Sequence, residues 1–114
     1  KEDIIILASA TNSLIVSYIA KKLSIKKFVS SEVLFEDKIC TGNVKKPYAL
    51  GSGKLELVTN LMSKNNFKFE DAYFYSDSIN DYPLLSKVAF PIAVNPDTNL
   101  EKKCSIMNWK IIKT

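Results

Sequence analysis

Apolar residues along the chain fall into two kinds of pattern, short continuous runs and helically spaced repeats. The run Asp3–Ala8, apolar from Ile4 onward, predicts a strand covered on both faces, as in a parallel sheet. The segment Ser9–Ser13, polar except for Ala10, predicts a turn rich in N-capping residue types. After this turn, apolar residues recur at helical spacing and predict an amphipathic helix: Leu14, Ile15, Tyr18, Ile19 and Leu23.

The remaining sequence repeats this alternation, with one hairpin inserted. Apolar runs predict strands at Phe28-Val29, Ala72–Tyr75, Val88–Phe90, Ile92–Val94 and Trp109–Ile112, with Pro91 separating the third from the fourth. Helices are predicted from Lys54 to Asn65-Asn66, over Asp81–Ser86, and over Asn99–Cys104 after a turn at Asn95–Asp97. Glu32–Thr41 predicts a β-hairpin, and Gly42–Gly53 predicts a loop. This order predicts an α/β fold, a parallel sheet flanked by helices, in one domain over residues 1–114.

Composition narrows the classes of protein and of chemistry. The 114 residues are 46% hydrophobic and 25% charged, which excludes disorder as a default, and no apolar run reaches the ~18 residues of a membrane span. The absence of His removes Ser-His-Asp and Cys-His catalysis. All 16 basic residues are Lys, mostly in scattered pairs among acidic residues, so the net charge of +4 indicates a solvated surface. We therefore expect neither a nucleic-acid nor a membrane partner.

Cysteine usage bears on the compartment. Cys40 and Cys104 lie far apart in the sequence, without the spacing of a metal site or the density of a disulfide scaffold. Reduced thiols in a cytoplasmic protein are the simpler interpretation.

Parallel α/β sheets gather their chemistry outside the carboxyl ends of the strands. Ser9 follows the first predicted strand and precedes a helix, where backbone N–H groups and a hydroxyl suit an anion, although such residues also serve as plain N-caps. Lys54 lies at a helix start, where a cation opposes the helix dipole. A phosphate ligand would explain this position, and a solvated lysine after a glycine-rich turn is the alternative.

A second strand end is rich in carboxylates. Asp77 and Asp81 lie four residues apart in the loop that follows Ala72–Tyr75. Carboxylates with nearby amide and hydroxyl oxygens suit Mg²⁺, which takes a few carboxylates and keeps several waters. A turn with an aspartate cap is the alternative.

Together these segments carry a resemblance. Ile6–Asn12, Gly53-Lys54-Leu55 and Ser76–Leu85, in this order, resemble the second, third and fourth motifs of the haloacid dehalogenase (HAD) superfamily, in its phosphoserine-phosphatase-like branch. The resemblance spans nearly the whole chain. It implies a HAD-like, Rossmann-like parallel sheet with a small β-hairpin insert, and a hydrolase that acts on a small phosphomonoester with Mg²⁺ as cofactor.

The resemblance also implies roles for individual residues. Ser9, the neighbouring Ala10 and Asn80 would bind the phosphoryl oxygens. Lys54 would neutralise charge on the nucleophile and the phosphoryl group. Asp77 would ligate Mg²⁺, and Asp81 would act in or near its outer shell, holding water or Lys54.

The first motif of this family, Asp-x-Asp-x-Thr/Ser, carries the aspartate that forms an aspartyl-phosphate. None of the six aspartates of this chain has another aspartate two positions later. We therefore expect this chain to be the C-terminal portion of a HAD-like phosphatase core domain, lacking its first central strand and inactive alone. A missing N-terminal segment or another chain would fill the sheet, because unpaired apolar edges invite association.

Two other classes of function stay open. A non-catalytic phosphate-binding or interaction module could keep this fold without the nucleophile. A plain structural α/β domain without a ligand is the third hypothesis. Binding of Mg²⁺ and of a phosphate mimic would separate the last two.

Overall fold

The computed structural model describes residues 4–36 and 38–114, and the chain divides into two compact units, residues 1–61 and 62–114. The prediction of a single domain over 1–114 stays a prediction. The elements, in chain order, are the strands β1 (Ile6–Asn12), β2 (Lys27–Ser31), β3 (Val33–Glu36), β4 (Ile39–Val44), β5 (Tyr73–Ser76), β6 (Phe90–Val94) and β7 (Lys110–Ile112). The helices are α1 (Ser13–Lys22), α2 (Ser52–Lys64), α3 (Tyr82–Leu85) and α4 (Thr98–Met107), with short 3-10 turns at Phe69–Asp71 and Ile79–Asp81.

The first unit begins with a parallel strand pair and continues with a hairpin. β1 pairs with β2 in parallel, and α1 makes the crossover between them. β3 and β4 pair antiparallel, which confirms the predicted hairpin. The predicted loop 42–53 is partly wrong, because β4 runs on to Val44, which pairs with Val33. The predicted start of the first strand at Asp3 lies outside the described residues, and β1 begins at Ile6.

Helix α1 buries a different face from the one its apolar pattern indicates. Val16 and Ala20, four residues apart, are the buried side chains, and the helix contacts β1 and β2. The larger apolar side chains are exposed: Leu14, Ile15, Tyr18, Ile19 and Leu23. Small side chains on the sheet-facing side let the helix lie close to the strands, and the wide apolar stripe points elsewhere.

The second unit is a three-stranded parallel sheet with its own core. β6 lies in the middle, with β5 and β7 on either side. Leu85, Ala93, Leu100 and Cys104 form the buried cluster, and Phe74, Ile79, Trp109 and Ile111 pack against it. One face of the sheet, α3 and α4 therefore share a hydrophobic core within about 50 residues of sequence, as contiguous cores usually form.

β6 corrects the prediction of two strand pieces split by Pro91. The strand is continuous over Phe90–Val94, and Pro91 pairs with Phe74 of β5. Phe90 N donates toward β5, to Ala72 O at 3.1 Å, whereas Asn95 N donates toward β7, to Ile112 O at 2.8 Å. By this alternation the Pro91 nitrogen faces the β7 side, where pairing begins only at Ile92. The missing N–H of proline therefore breaks no ladder bond.

The predicted fold class, α/β with parallel strands flanked by helices and a small hairpin, is confirmed. Within the described residues, β1 has β2 as its one strand neighbour, and β5 has β6. In each parallel sheet, the terminal strand therefore contains candidate site residues, as β1 does, or leads into them, as β5 does. No helix in the described ranges 4–36 and 38–114 combines the length and the apolar character that crossing a bilayer requires.

Candidate active site

Ser9 lies inside a strand rather than after one. Ala8 pairs with Val29 and Asn12 with Ser31, so three residues of β1, Ser9 to Thr11, lie opposite one residue of β2. The strand continues beyond this bulge, which corrects the predicted end at Ala8. Ser9 is half-buried, and its Oγ accepts the Thr11 N–H at 3.1 Å. Bulges re-aim side chains and occur often beside active sites.

The cap of α1 is Asn12, not Ser9. The Asn12 Oδ1 accepts the Ile15 N–H at 3.1 Å. The alternative of plain N-capping therefore holds for Asn12 and does not hold for Ser9. Ala10, the second predicted phosphate-binding residue, lies in the bulge and is exposed.

The turn before Lys54 has two positions that favour glycine. Gly51 adopts a left-handed φ of 57°, and its carbonyl accepts the Leu55 N–H at 3.3 Å. At Gly53 a Cβ atom would overlap the Tyr48 carbonyl oxygen, so only glycine fits there. The helix therefore begins at Ser52, two residues earlier than predicted, and Lys54 lies in its first turn.

Lys54 is buried, although it begins a helix that follows a surface loop. Its exposed fraction is 6%, and the buried residues of α2 recur every four positions: Lys54, Val58 and Met62. A solvated lysine, the alternative in the sequence, is therefore wrong. Burial of an ammonium group is costly unless polar partners compensate, and a buried lysine at a helix start therefore stays a candidate site residue.

The loop after β5 presents one carboxylate and buries another. Asp77 follows the carboxyl end of β5 and is exposed. Asp81 closes the 3-10 turn that comes next and is 8% exposed. The Ser76 hydroxyl donates to Asp81 Oδ2 and accepts the Ser78 N–H at 3.2 Å. Asn80, a predicted phosphate-binding residue, is exposed on the same turn, and its N–H donates to Ser78 Oγ at 3.1 Å.

A residue that the sequence indicated only as a turn and helix cap also belongs to this loop. Asp97 Oδ1 accepts the Leu100 N–H at 2.7 Å and caps α4, as predicted. Its Oδ2 accepts the Ile79 N–H at 3.0 Å, and its own N–H donates to the Asp77 carbonyl at 2.9 Å. The sequence offered one signal for this role, because Asp97 follows the end of a predicted strand, where parallel α/β sheets gather their functional residues.

The candidate residues divide between the two units. Asp77, Asn80 and Asp81 share one loop of the second unit, whereas Ser9, Ala10 and Lys54 lie in the first. Convergence of Ser9, Lys54 and Asp77 on one pocket stays a prediction. Among the described residues, no three Cys, Asp or Glu side chains cluster as a metal centre. A single carboxylate such as that of Asp77 is compatible with Mg²⁺, because this ion binds through one or two carboxylates and completes its shell with water and phosphate oxygens.

Comparisons with known proteins define the class of this chain. The family described as haloacid dehalogenase-like hydrolase matches residues 1–86. The chain therefore belongs to the haloacid dehalogenase-like hydrolase family, and the resemblance stated from its motifs is confirmed.

Several relatives are named as phosphatases. The "Probable phosphatase Rv3661" of Mycobacterium tuberculosis (strain H37Rv) is 33% identical over 95% of this chain and 37% of its own length. The histidinol-phosphatase of Neisseria meningitidis serogroup C is 31% identical, over 96% of this chain and 51% of its length. The phosphoserine phosphatase SerB1 of M. tuberculosis is 30% identical, over 92% and 34%. The chain thus spans between a third and a half of these relatives.

Solved structures support the same fold. A crystal structure of a protein of unknown function from Bordetella pertussis Tohama I superposes with a TM-score of 0.88 at 31% identity, over 96% of this chain and 51% of that one. A substrate-bound phosphoserine phosphatase superposes with a TM-score of 0.75 at 20% identity, over 96% and 50%. The second likeness shows the fold alone.

Proposed function

We propose that this chain is the core segment of a Mg²⁺-dependent phosphomonoesterase of the haloacid dehalogenase-like family. The observation that carries the proposal is the loop after β5. It exposes Asp77 at the carboxyl end of a parallel strand, while Asp81 lies buried behind it and Asp97 fixes the backbone. Family membership and the phosphatase names of relatives add support.

The proposed reaction transfers a phosphoryl group to a carboxylate and then to water. A carboxylate oxygen attacks phosphorus, the ester P–O bond breaks, and the alcohol leaves with a proton. Water then cleaves the aspartyl-phosphate and releases inorganic phosphate. Because this chain has no Asp-x-Asp sequence, the proposal assigns the nucleophile to a residue outside it.

The residues of this chain would bind and neutralise charge. The Ser9 hydroxyl, the Ala10 N–H and the Asn80 side chain would donate hydrogen bonds to phosphoryl oxygens. Lys54 would neutralise charge that develops in the transition state, and its burial strengthens such an interaction because the local dielectric constant is low. Phosphoryl transfer needs mainly such positioning and charge neutralisation.

Asp77 would hold Mg²⁺, and Asp81 would orient the groups around the ion. When bound, the metal would supply charge neutralisation and orientation of phosphate oxygens. The exposed position of Asp77 suits a direct ligand, whereas the buried Asp81, held by Ser76, suits a supporting role.

We place the protein in the cytoplasm, consistent with two separated cysteines. Among residues 4–36 and 38–114, β1 pairs with β2 alone and β5 with β6 alone, which supports the proposal that a further strand, from a preceding segment or another chain, pairs with them.

Metal binding tests the role of Asp77. We expect Asp77→Asn to weaken Mg²⁺ binding by more than about 100-fold, since even partners outside the ligand shell are worth 10–100-fold. Asp71→Asn is the matched control, because Asp71 is also exposed but precedes β5 at its opposite end. Isothermal titration with Mg²⁺ measures both. Equal affinity of the two variants would contradict the assignment.

Activity tests the reaction. We expect the natural full-length protein that contains this chain to hydrolyse a small phosphomonoester. The test panel includes phosphoserine, histidinol phosphate and p-nitrophenyl phosphate. Chelation with EDTA should abolish the activity and added Mg²⁺ should restore it. The isolated 114-residue chain should show no turnover, and its hydrolysis of any member of the panel would refute the assignment of the nucleophile.

A non-catalytic phosphate-binding module is the second candidate. Tungstate or phosphate binding by the natural full-length product, without hydrolysis of any member of the panel, would establish this alternative over the enzyme.

A further inference from the structure

Asp97 joins two segments that are 18 residues apart in sequence. Its Oδ2 accepts the Ile79 N–H at 3.0 Å, and its backbone N–H donates to the Asp77 carbonyl at 2.9 Å. These two bonds lie on either side of Ser78. The peptide segment that begins with Asp77 is therefore held at both ends by one residue.

The segment that carries Asp97 is itself fixed on its other side. Asn95 N donates to Ile112 O at 2.8 Å, and the Asn95 side chain exchanges two hydrogen bonds with Thr114, both at 2.9 Å. Asn95 adopts a left-handed φ of 45°, a conformation that asparagine tolerates better than most residues. The turn after β6 thus connects the end of β7 through Asn95 to the end of β5 through Asp97.

The two oxygens of Asp97 have separate tasks. Oδ1 caps α4 through Leu100 N, and Oδ2 holds the loop through Ile79 N. Capping alone would need one oxygen, and serine or asparagine could supply it. The bond from Ile79 N needs a second oxygen on the same side chain. A carboxylate has this oxygen, whereas an asparagine or serine whose oxygen already caps the helix does not.

We infer that Asp97 is a positioning residue for the cation site, which holds the backbone of Asp77 so that its exposed carboxylate meets Mg²⁺ in a fixed geometry. The inference rests on the proposed function of the Asp77 loop. The backbone on either side of Ser78 is fixed before the ion arrives, so ligand binding has less ordering to impose on it. Partners that orient a ligand in this way affect metal affinity about 10–100-fold.

Two substitutions separate the bond to the Asp77 loop from the bond that caps α4. Asp97→Asn and Asp97→Ser keep an oxygen for Leu100 N but lose the acceptor for Ile79 N. We expect each to weaken Mg²⁺ binding, measured by isothermal titration, roughly 10–100-fold. Amide hydrogen exchange followed by NMR should show faster exchange at Ile79 and unchanged protection at Leu100.

Two controls address charge and stability. Glu101→Gln removes a carboxylate one helical turn further along α4, where Glu101 pairs with Lys113 and not with the loop. Cys104→Ala removes a buried side chain from the same helix. Both should leave Mg²⁺ affinity within about twofold of the wild type, since neither changes the acceptors of the Asp77 segment.

The outcomes distinguish this inference from the proposed function. If the wild type binds Mg²⁺ and the two Asp97 variants bind it equally well, the positioning role is overturned while the proposed function stands. If Glu101→Gln weakens binding as much as Asp97→Asn, the effect is one of net charge and the role is likewise overturned. If the wild type does not bind Mg²⁺ at all, both proposals fail.

Discussion

The two units of this chain hold their candidate residues by different means. In the first unit, the hydrogen bond of the Ser9 side chain is local, to a backbone N–H two residues away within the bulge of β1. In the second unit, the Asp77 segment is tied through Asp97 to the turn after β6 and through Ser76 to Asp81. The Asp77 loop is thus bonded to a residue 18 positions further along the chain, whereas the Ser9 side-chain bond stays within three residues of β1.

The hydrophobic packing differs in the same direction. The second unit buries Leu85, Leu100 and Cys104 almost completely. In the first unit, α1 buries only Val16 and Ala20 and leaves its larger apolar side chains exposed. The second unit also exposes large apolar side chains, namely Tyr73, Tyr75, Phe90, Ile106 and Met107. The comparison therefore teaches that α4 buries Leu100 and Cys104 in the core of its unit, whereas α1 buries Val16 and Ala20 and exposes its wide apolar stripe.

Core truncation should show the largest difference between the units. Leu100→Ala removes a side chain that is 0% exposed, and we expect it to lower the free energy of unfolding by about 2–5 kcal/mol. Ile15→Ala removes an apolar side chain of α1 that is 48% exposed, and we expect a change within about 0.5 kcal/mol. Urea unfolding followed by circular dichroism measures both.

The Ile15→Ala variant tests the contrast between the two helices directly. A cost close to that of Leu100→Ala would mean that another segment or chain covers α1 in solution. The contrast between the buried face of α4 and the exposed apolar stripe of α1 would then be lost.

The turn before Lys54 offers the second test, inside the first unit. Gly53→Ala places a Cβ against the Tyr48 carbonyl oxygen, and backbone must shift to relieve the overlap. We expect a loss of roughly 1–3 kcal/mol, the usual range for overpacking. Ser52→Ala, at the exposed neighbouring position, is the matched control and should change stability by less than about 0.5 kcal/mol.

A neutral result at Gly53 would be informative for the site. It would mean that the start of α2 yields easily, and that Lys54 owes its burial to other contacts than this turn. Thermal unfolding of the two variants, recorded side by side, decides between the two outcomes.

Local signals in the sequence were sufficient for most of the order of elements and for the loop after β5. Pro83 and the spacing of Asp77 and Asp81 predict a loop that leads into a short helix, and the structure has this arrangement. The hairpin and the caps at Asn65-Asn66 and Asp97 also depend on neighbouring residues, which a sequence displays directly. Such features need no knowledge of distant contacts.

Non-local pairing decided what the sequence could not predict. β1 continues past Ser9 because Asn12 pairs with Ser31. Pro91 lies inside a strand because β7 begins only beside Ile92. The second task of Asp97 appears only when β5 and β6 lie side by side.

The sequence also did not predict which face of each helix is buried. The apolar pattern of α1 marks a wide stripe, yet the sheet selects the narrow face of Val16 and Ala20. On α2 the buried face includes the cation Lys54, against every compositional expectation for lysine. Which face a helix buries depends on the surface that it meets, and periodicity alone does not contain that surface.

The smallest expected effect concerns the thiol in the core of the second unit. Burial, and secondarily the charge of Glu101, raises the pKa of the Cys104 thiol above its ordinary value of 9.0. Because the folded state disfavours the thiolate, the stabilising contribution is complete below the pKa of the unfolded chain and is lost as pH rises through the folded pKa. The free energy of unfolding should therefore fall more steeply above about pH 9 in the wild type than in Cys104→Ala. Both proteins retain Cys40, so the difference between their slopes isolates Cys104, and urea unfolding across this range measures it. Parallel slopes would mean that water reaches Cys104. The hydrophobic core of the second unit would then be packed less tightly around this thiol than its burial indicates.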